Sequence, residues 1–393
     1  MTSDVAALVD AVAELVRIPS VNPLHSGPRA ERHGPIGEGA LAHRLAERFT
    51  DCGAADVVLD EVAPGRPNVY GRFRGRTERL VVVDVHTDTV TVEHMTDPPF
   101  DGRVEDGHLY GRGALDSKAT LGVLLHLLAA WSRAGLRPEP DLLLVGSVAE
   151  EAGGLLGATR FRPWVEQQGL RIDHLVVAEP TEFRPVHGLK GLVLAEVTAH
   201  GTAAHSARPD LGVNAIEAIA PVVAAFTAEH RRLQSLPPAT ELGTGTVSVT
   251  QISGGTGGNV IPDRCTMAVG RRIVPGEDPA DVLDQLAAIA RAACPVPCEI
   301  TSLIPPAPDG KPGSPAFYQR SDAGLVQFLA RTAGTTPTVA PFGANALRYS
   351  GLARETVIFG PGSITQAHQA TERVAVADLA RLADILGAWL APA

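Results

Sequence analysis

The chain has 393 residues, enough for two domains with ample core. Its composition, 45% hydrophobic and 20% charged, is that of an ordinary globular protein rather than a disordered or fibrous one. With 34 basic against 44 acidic residues the net charge is −10, which argues against nucleic acid or an anionic membrane as the main partner.

No apolar run approaches the roughly 18 residues of a membrane span. The N-terminal stretch "MTSDVAALVDAVAELVRIPS" lacks a basic region and a cleavage site and reads as an amphipathic helix, so a cytoplasmic protein is expected. The stretch 22–40 reads as an insertion, with His25 and His33 expected in solvent. A helix is predicted near 36–51, with Cys52 just after it, then strands at 55–62 and 66–74. "LVVVDV" follows as a strand buried on both faces, and it ends on His86 and Asp88, which share one side by the period-two rule. A strong helix is predicted after Asp116, and "DLLLVGSV" is a buried strand running into Glu150 and Glu151. "HLVVAE" is a third such strand, ending at Glu179.

From about Gly191 the texture changes. "GLVLAEVTAHG" alternates as a half-exposed strand, a helix spans about Asn214 to Leu233, and two strands flank "GGTGGNVIPDRC". A second helix begins near Asp278, and the Pro-rich stretch 304–315 reads as a linker. Strand, helix, two strands, helix, strand is the ferredoxin-like order. The expected fold is therefore α/β: a catalytic domain with a mixed central sheet flanked by helices (residues 1–188 and 307–393), carrying an inserted ferredoxin-like α+β lid or dimerisation domain (189–306). Cys52, Cys265, Cys294 and Cys298 lack zinc-site spacing and read as reduced structural thiols.

Ligands of an open α/β sheet bind outside the carboxyl ends of its strands. His86, Asp88, Glu150, Glu151 and Glu179 all fall at such ends. Asp116 lies on a Gly-rich loop before a helix, and His368 follows the apolar strand "ETVIF". So many acids in one place repel unless a cation neutralises them, and mixed His and carboxylate donors suit zinc or its neighbours better than calcium or magnesium.

The stretches "HTDTV", "GRGALDSK", "SVAEEAGG", "AEPT", "GTAAHSARPDLGVNAI", "GGTGGNVIPD", "RRIVPGED" and "FGPGSITQAHQATE" run in order from residue 86 to 372. Together they resemble the metallopeptidase and deacylase family of acetylornithine deacetylase, succinyl-diaminopimelate desuccinylase, aminoacylase and carboxypeptidase G. The resemblance implies a hydrolase with two zinc ions per subunit, cobalt or manganese being possible substitutes, and a homodimer paired through the lid. It makes His86 and Glu179 ligands of one metal, Glu151 and His368 ligands of the other, and Asp116 the bridge. Asp88 would hydrogen-bond the ligating imidazole, and Glu150 would be the general base. His205 would supply an oxyanion donor, often from the lid of the dimer partner. Arg272, or its neighbour Arg271, would hold a substrate carboxylate, joined by Asn259. Asn345 stands where relatives commonly carry an acid, a position that could face a substrate side chain. "LDSKAT" also departs from the common pattern, with Ala119 and Thr120 in place of glycines. The implied substrate is a small N-acyl amino acid, with a short peptide cleaved by a carboxypeptidase or dipeptidase as the alternative. A non-catalytic ligand-binding relative is a third reading.

Overall fold

The structure, a computed structural model, describes residues 4–152, 154–238, 240–304 and 310–391. Along the chain the first-sheet strands are β1 (Asp56–Ala63), β2 (Arg66–Phe73), β3 (Thr77–His86), β4 (Pro140–Ser147), β5 (Ile172–Val177) and β6 (Val186–Leu189). A second sheet uses β7 (Gly191–His200), β8 (Thr246–Gly254), β9 (Arg264–Ile273) and β10 (Cys298–Ser302). The chain then returns to the first sheet with β11 (Phe317–Tyr318), β12 (Thr338–Ala340) and β13 (Ala353–Ile358). The main helices are α1 (Val5–Val16), α2 (Gly39–Asp51), α3 (Lys118–Arg133), α4 (Ala215–Gln234), α5 (Pro279–Ala293) and α6 (Val376–Leu390).

Two compact units result. One comprises Met1–His187, Gln319–Thr338 and Ala344–Ala393; the other comprises Gly188–Tyr318 and Val339–Gly343. The expected boundary at 306–307 falls within residues 305–309, outside the described residues.

The first sheet is mixed, in the order β1-β2-β4-β3-β5-β13-β6-β11, with β12 also paired to β6. At its centre β3 runs parallel to β4 and β5, and β13 runs parallel to β5. The carboxyl ends of four strands, at His86, Ser147, Val177 and Ile358, therefore lie along one edge. The carboxyl-terminal halves of these strands are largely apolar and buried, and β3 and β4 are buried from Leu80 and Pro140 to their ends. In the same unit α1 starts at the Asp4 cap, whose carboxylate accepts from the Ala6 and Ala7 amides.

Helices α1 and α3 meet at Gly122, where a Cβ would stand 2.6 Å from Val12 Cα. Helix propensity alone favours alanine there by about 1 kcal/mol. Overpacking against backbone costs about 1–3 kcal/mol, so Gly122→Ala is expected to lower the urea midpoint. An unchanged or higher midpoint would mean that the two helices separate freely.

The second sheet is antiparallel, in the order β8-β9-β7-β10, with α4 and α5 against one face. Val193, Val197, Met267 and Val269 on its strands pack with Ile219, Phe226 and Leu286 on the helices. Asn214 and Asp278 cap the two helices with their side chains, and Pro279 takes the first helical position, as N-terminal signals of this kind require.

Candidate metal centre

His86 ends β3 with its ring 2% exposed. Its Nε2 is 2.9 Å from Asp116 Oδ1, and its Nδ1 is 3.0 Å from the backbone oxygen of Asp88. Asp116 Oδ2 faces His368 Nε2 at 3.3 Å, and His368 Nε2 also lies 2.9 Å from Glu151 Oε2. Ligand atoms of His86, Asp116 and Glu179 lie within 4.8 Å of one another, and so do those of Asp116, Glu151 and His368. Two overlapping sets thus share one carboxylate. Glu150 belongs to neither set.

The electrostatics are those of an acid cluster short of positive charge. Burial raises Glu150 and Glu179 well above the usual carboxyl range, and neighbouring carboxylates add to it. Glu151 is pushed up to about 7 by burial and then by Asp116. His368 is raised to about 10 by its contacts with Asp116 and Glu151. Burial works against a charged His86, yet Asp116 and Asp88 outweigh it and hold the ring well above its ordinary value. Glu179 Oε1 is buried with no hydrogen-bond partner among the described residues, which is costly unless a cation takes it. A cation bound by these donors satisfies the orphan and the surplus charge together, and the His and carboxylate mixture fits a transition metal or zinc.

Asp88 departs from the expected arrangement. Its carboxylate stands 3.7 Å from His86 Nδ1, too far for a hydrogen bond, so the imidazole is oriented by the Asp88 main chain. The carboxylate instead accepts from the amides of Glu150 and Glu151, both at 3.0 Å, and from Asn22 Nδ2 at 2.8 Å. The two preceding amides are held in the same way. Ala149 N donates to Glu38 Oε1 at 3.0 Å and Val148 N to Asn68 Oδ1 at 3.1 Å. Glu38 is itself fully buried and paired by two 2.6 Å bonds to Arg66. Side chains therefore hold four consecutive amides through a turn in which Ala149 has φ 59°. The insertion 22–40, whose role the sequence left open, supplies two of the holders. Asn22, Glu38 and Asn68 are positioning residues that sequence reasoning did not find; the "NP" at 22–23, where an Asn caps a short turn, was the available signal.

His25 is half-buried rather than in solvent. Burial lowers its pKa, and the charges of Asp88 and His368 both act on it. His33 is exposed, with its ring edge against Phe100. Asn345 requires a correction. It is 1% exposed, and its Nδ2 donates at 2.9 Å to both Asp84 Oδ2 and Ser147 Oγ, so it supports the strands under the site and is not available to a substrate. An amide suits this place because Asp84 is itself a buried carboxyl, held also by the Tyr349 hydroxyl at 2.9 Å.

Within the second unit the structure brings His205 and Asn259 together. His205 pairs with Val260 in a short ladder, and Ser206 N donates to the Asn259 carbonyl at 2.9 Å. Both side chains are exposed. His205 Nδ1 accepts from Ala207 N, which leaves the ring proton on Nε2. Alternation on β9 turns Arg271 inward, where it is 2% exposed and pairs with Glu277. Arg272 lies on the opposite, half-buried face, its guanidinium without a hydrogen bond or ion pair among the described residues.

A mixed α/β sheet whose parallel carboxyl ends gather two histidine–carboxylate sets around a shared aspartate defines a metal-dependent hydrolase. Residues 82–391 match peptidase family M20/M25/M40, and the chain belongs to that family. The acetylornithine deacetylase of Myxococcus xanthus is 36% identical over 291 residues, covering 72% of each chain. Among solved structures, an M20 family metallo-carboxypeptidase from Sulfolobus solfataricus superposes with a TM-score of 0.76 at 20% identity, covering 98% of both chains. A dinuclear metal-binding peptidase of Bacillus subtilis does so with 0.65 at 14% identity, covering 98% of both. At such identities these two likenesses speak for the fold. The enzyme hydrolyses amide or peptide bonds, as its family does.

Proposed function

We propose that the protein is a zinc-dependent deacylase that removes the acyl group from an N-acyl amino acid. The observation that carries this reading is the pair of overlapping ligand sets beside a glutamate, Glu150, that belongs to neither. In this reading His86, Asp116 and Glu179 hold one zinc, and Asp116, Glu151 and His368 hold the second, with cobalt or manganese as possible substitutes. Metals bound there supply Lewis acidity toward the acyl oxygen and lower the pKa of a water. Glu150 takes the proton of the attacking water and passes it to the leaving nitrogen, so the amide bond is replaced by an acid and an amine. Asp88 fixes the backbone from which Glu150 and Glu151 diverge.

The second unit acts as a lid in this proposal. His205 presents Nε2–H to the oxyanion, and Arg272, whose guanidinium has no hydrogen bond or ion pair among the described residues, takes the substrate carboxylate with help from Asn259. The enzyme works as a homodimer through this unit. Its β8 is an edge strand exposed from Thr250 to Gly254, and Ile252, Ile216, Val213, Leu211 and Val260 are exposed apolar side chains of the same unit. Three buried, unpaired cysteines suit a reducing cytoplasm. A peptidase acting on a short peptide is the alternative, with the same centre. The deacetylase relative at 36% identity favours the first reading.

The test is amine release from N-acetyl, N-succinyl and N-formyl amino acids and dipeptides, with zinc or cobalt and with chelator. Release from acylated amino acids that stops on chelation and returns with metal is expected. Cleavage of dipeptides alone would transfer the assignment to a peptidase. Silence from protein carrying two metals would overturn both.

A further inference from the structure

Glu372 closes the stretch "AHQATE", four residues beyond His368, and nothing in the chemistry above uses it. It is 1% exposed, and its carboxylate is fully engaged. Oε1 accepts from two successive amides, Leu115 N at 3.0 Å and Asp116 N at 3.1 Å. Oε2 accepts from Arg112 Nη1 at 2.5 Å, and Arg112 is also 1% exposed. The next residues, Arg373–Ala375, run antiparallel to His108–Tyr110, and Gly111 N donates to the Glu372 carbonyl. The segment that carries His368 is thereby stitched to the loop that carries Asp116, 256 residues earlier in the chain.

A buried carboxylate–guanidinium pair is weak as a source of stability, because desolvation offsets most of its attraction. Its geometry offers a better reason for its presence. One oxygen receiving two consecutive N–H groups fixes the peptide plane between Leu115 and Asp116, and with it the direction of the Asp116 side chain. That direction decides whether Oδ1 can face His86 while Oδ2 faces His368. We infer that Glu372 is a positioning residue, held by Arg112, that orients the shared aspartate so that one carboxylate serves both metal positions. The inference rests on the proposed metal centre.

The test compares zinc affinity, by competition with a chromophoric chelator, and the visible spectrum of the cobalt-loaded protein, in wild type, Glu372→Asp and Glu372→Gln. Aspartate keeps the charge but is one methylene too short to meet Arg112 and both amides. It is expected to weaken both metals by about 10–100-fold, the usual range for groups that orient ligands, and to shift the cobalt spectrum. Glutamine keeps an acceptor oxygen for the two amides and is expected to stay much closer to wild type, even where its melting temperature falls further. A residue kept only for its buried ion pair would give the reverse order, with glutamine worst, and that order would overturn the inference. Wild-type affinity and spectrum in the aspartate variant would do the same, leaving the metal centre intact. Wild-type protein that takes up no metal would remove both.

Discussion

Glu150→Gln is expected to lower kcat by about 10²–10⁴-fold, the range for losing a general base, while two equivalents of metal stay bound. Glutamine has nearly the shape of glutamate, so the backbone bond from residue 150 to Asp88 Oδ1 persists. Glu150 stands outside both ligand sets, so neither loses a donor. What disappears is the carboxylate that, in the proposed mechanism, carries a proton from water to the leaving nitrogen. KM should change little, because the substrate's fixed charge is met elsewhere. Steady-state kinetics beside metal analysis of the same sample separates the outcomes. Loss of metal from the variant would make Glu150 a ligand, and retained turnover would assign the base to another group. Glu151→Gln, one position on, should behave differently, since it removes a donor shared with His368 and releases metal.

The contrast between these neighbours bears on what can be read from a sequence. Strand endings are legible, because a run such as "LVVVDV" announces burial on both faces, and polar residues at its end must then lie at the sheet edge. His86, Glu150, Glu151 and Glu179 were visible for that reason. Asp116 and His368 sit on loops; a Gly-rich stretch before a helix placed the one and the apolar strand before it placed the other, and the order of the motifs then gave them roles. The residues that hold the loops were illegible. Glu38 and Asn68 look like any polar residue beside a helix or on a strand, and their function lies in which amide they meet across 111 and 80 residues of chain. For Asp88 the resemblance implied a carboxylate bond to the imidazole; β3 ends at His86 and the chain then turns, so the main-chain oxygen of Asp88 meets the ring and its carboxylate meets the amides of Glu150 and Glu151. Asn345 was misassigned because position in a motif carries no information about depth. Its amide closes a buried network under β3 rather than facing a pocket.

A common device runs through the centre. The ligand loops have few ladder partners, so their amides would be left to water at a site that must position charge closely. Buried carboxylates and amides take them instead: Asn68, Glu38 and Asp88 for residues 148–151, and Glu372 for 115 and 116. Each acid adds negative charge near ligands that already repel one another. Glu38 and Glu372 answer this with a dedicated arginine, Arg66 and Arg112, while Asp88 has the His86 ring beside it.

Removing the metals should therefore produce a protein whose stability falls as pH rises from about 5 to about 9. Between those values the acid and histidine cluster of the folded, metal-free chain binds more protons than the same groups do unfolded; Lys118, lowered by burial to about 7, and the lowered His25, His126 and His174 act in the opposite sense. Glu151 holds its proton to about 7, Glu150 and Glu179 are raised well above 4.5, His368 titrates near 10 and His86 lies well above 6.5. The unfolded chain gives up its carboxyl protons near 4.5 and its imidazole protons near 6.5. An excess of bound protons in the folded state makes the slope of stability with pH negative. Asp116 and Asp88, both lowered, act in the opposite sense only below about pH 4, where stability is lost as they protonate. Metal takes the place of the excess protons, so its affinity should rise by about tenfold per pH unit for each proton displaced. Two measurements follow: melting temperature with and without chelator at pH 5.5, 7 and 8.5, and calorimetry of zinc binding in buffers of different ionisation enthalpy. The gap between loaded and metal-free protein should widen steadily with pH, with net proton release on binding. Metal-free protein that grows more stable over this range, or zinc binding without proton release, would mean that the cluster does not hold these protons and that its acids are charged before any metal arrives.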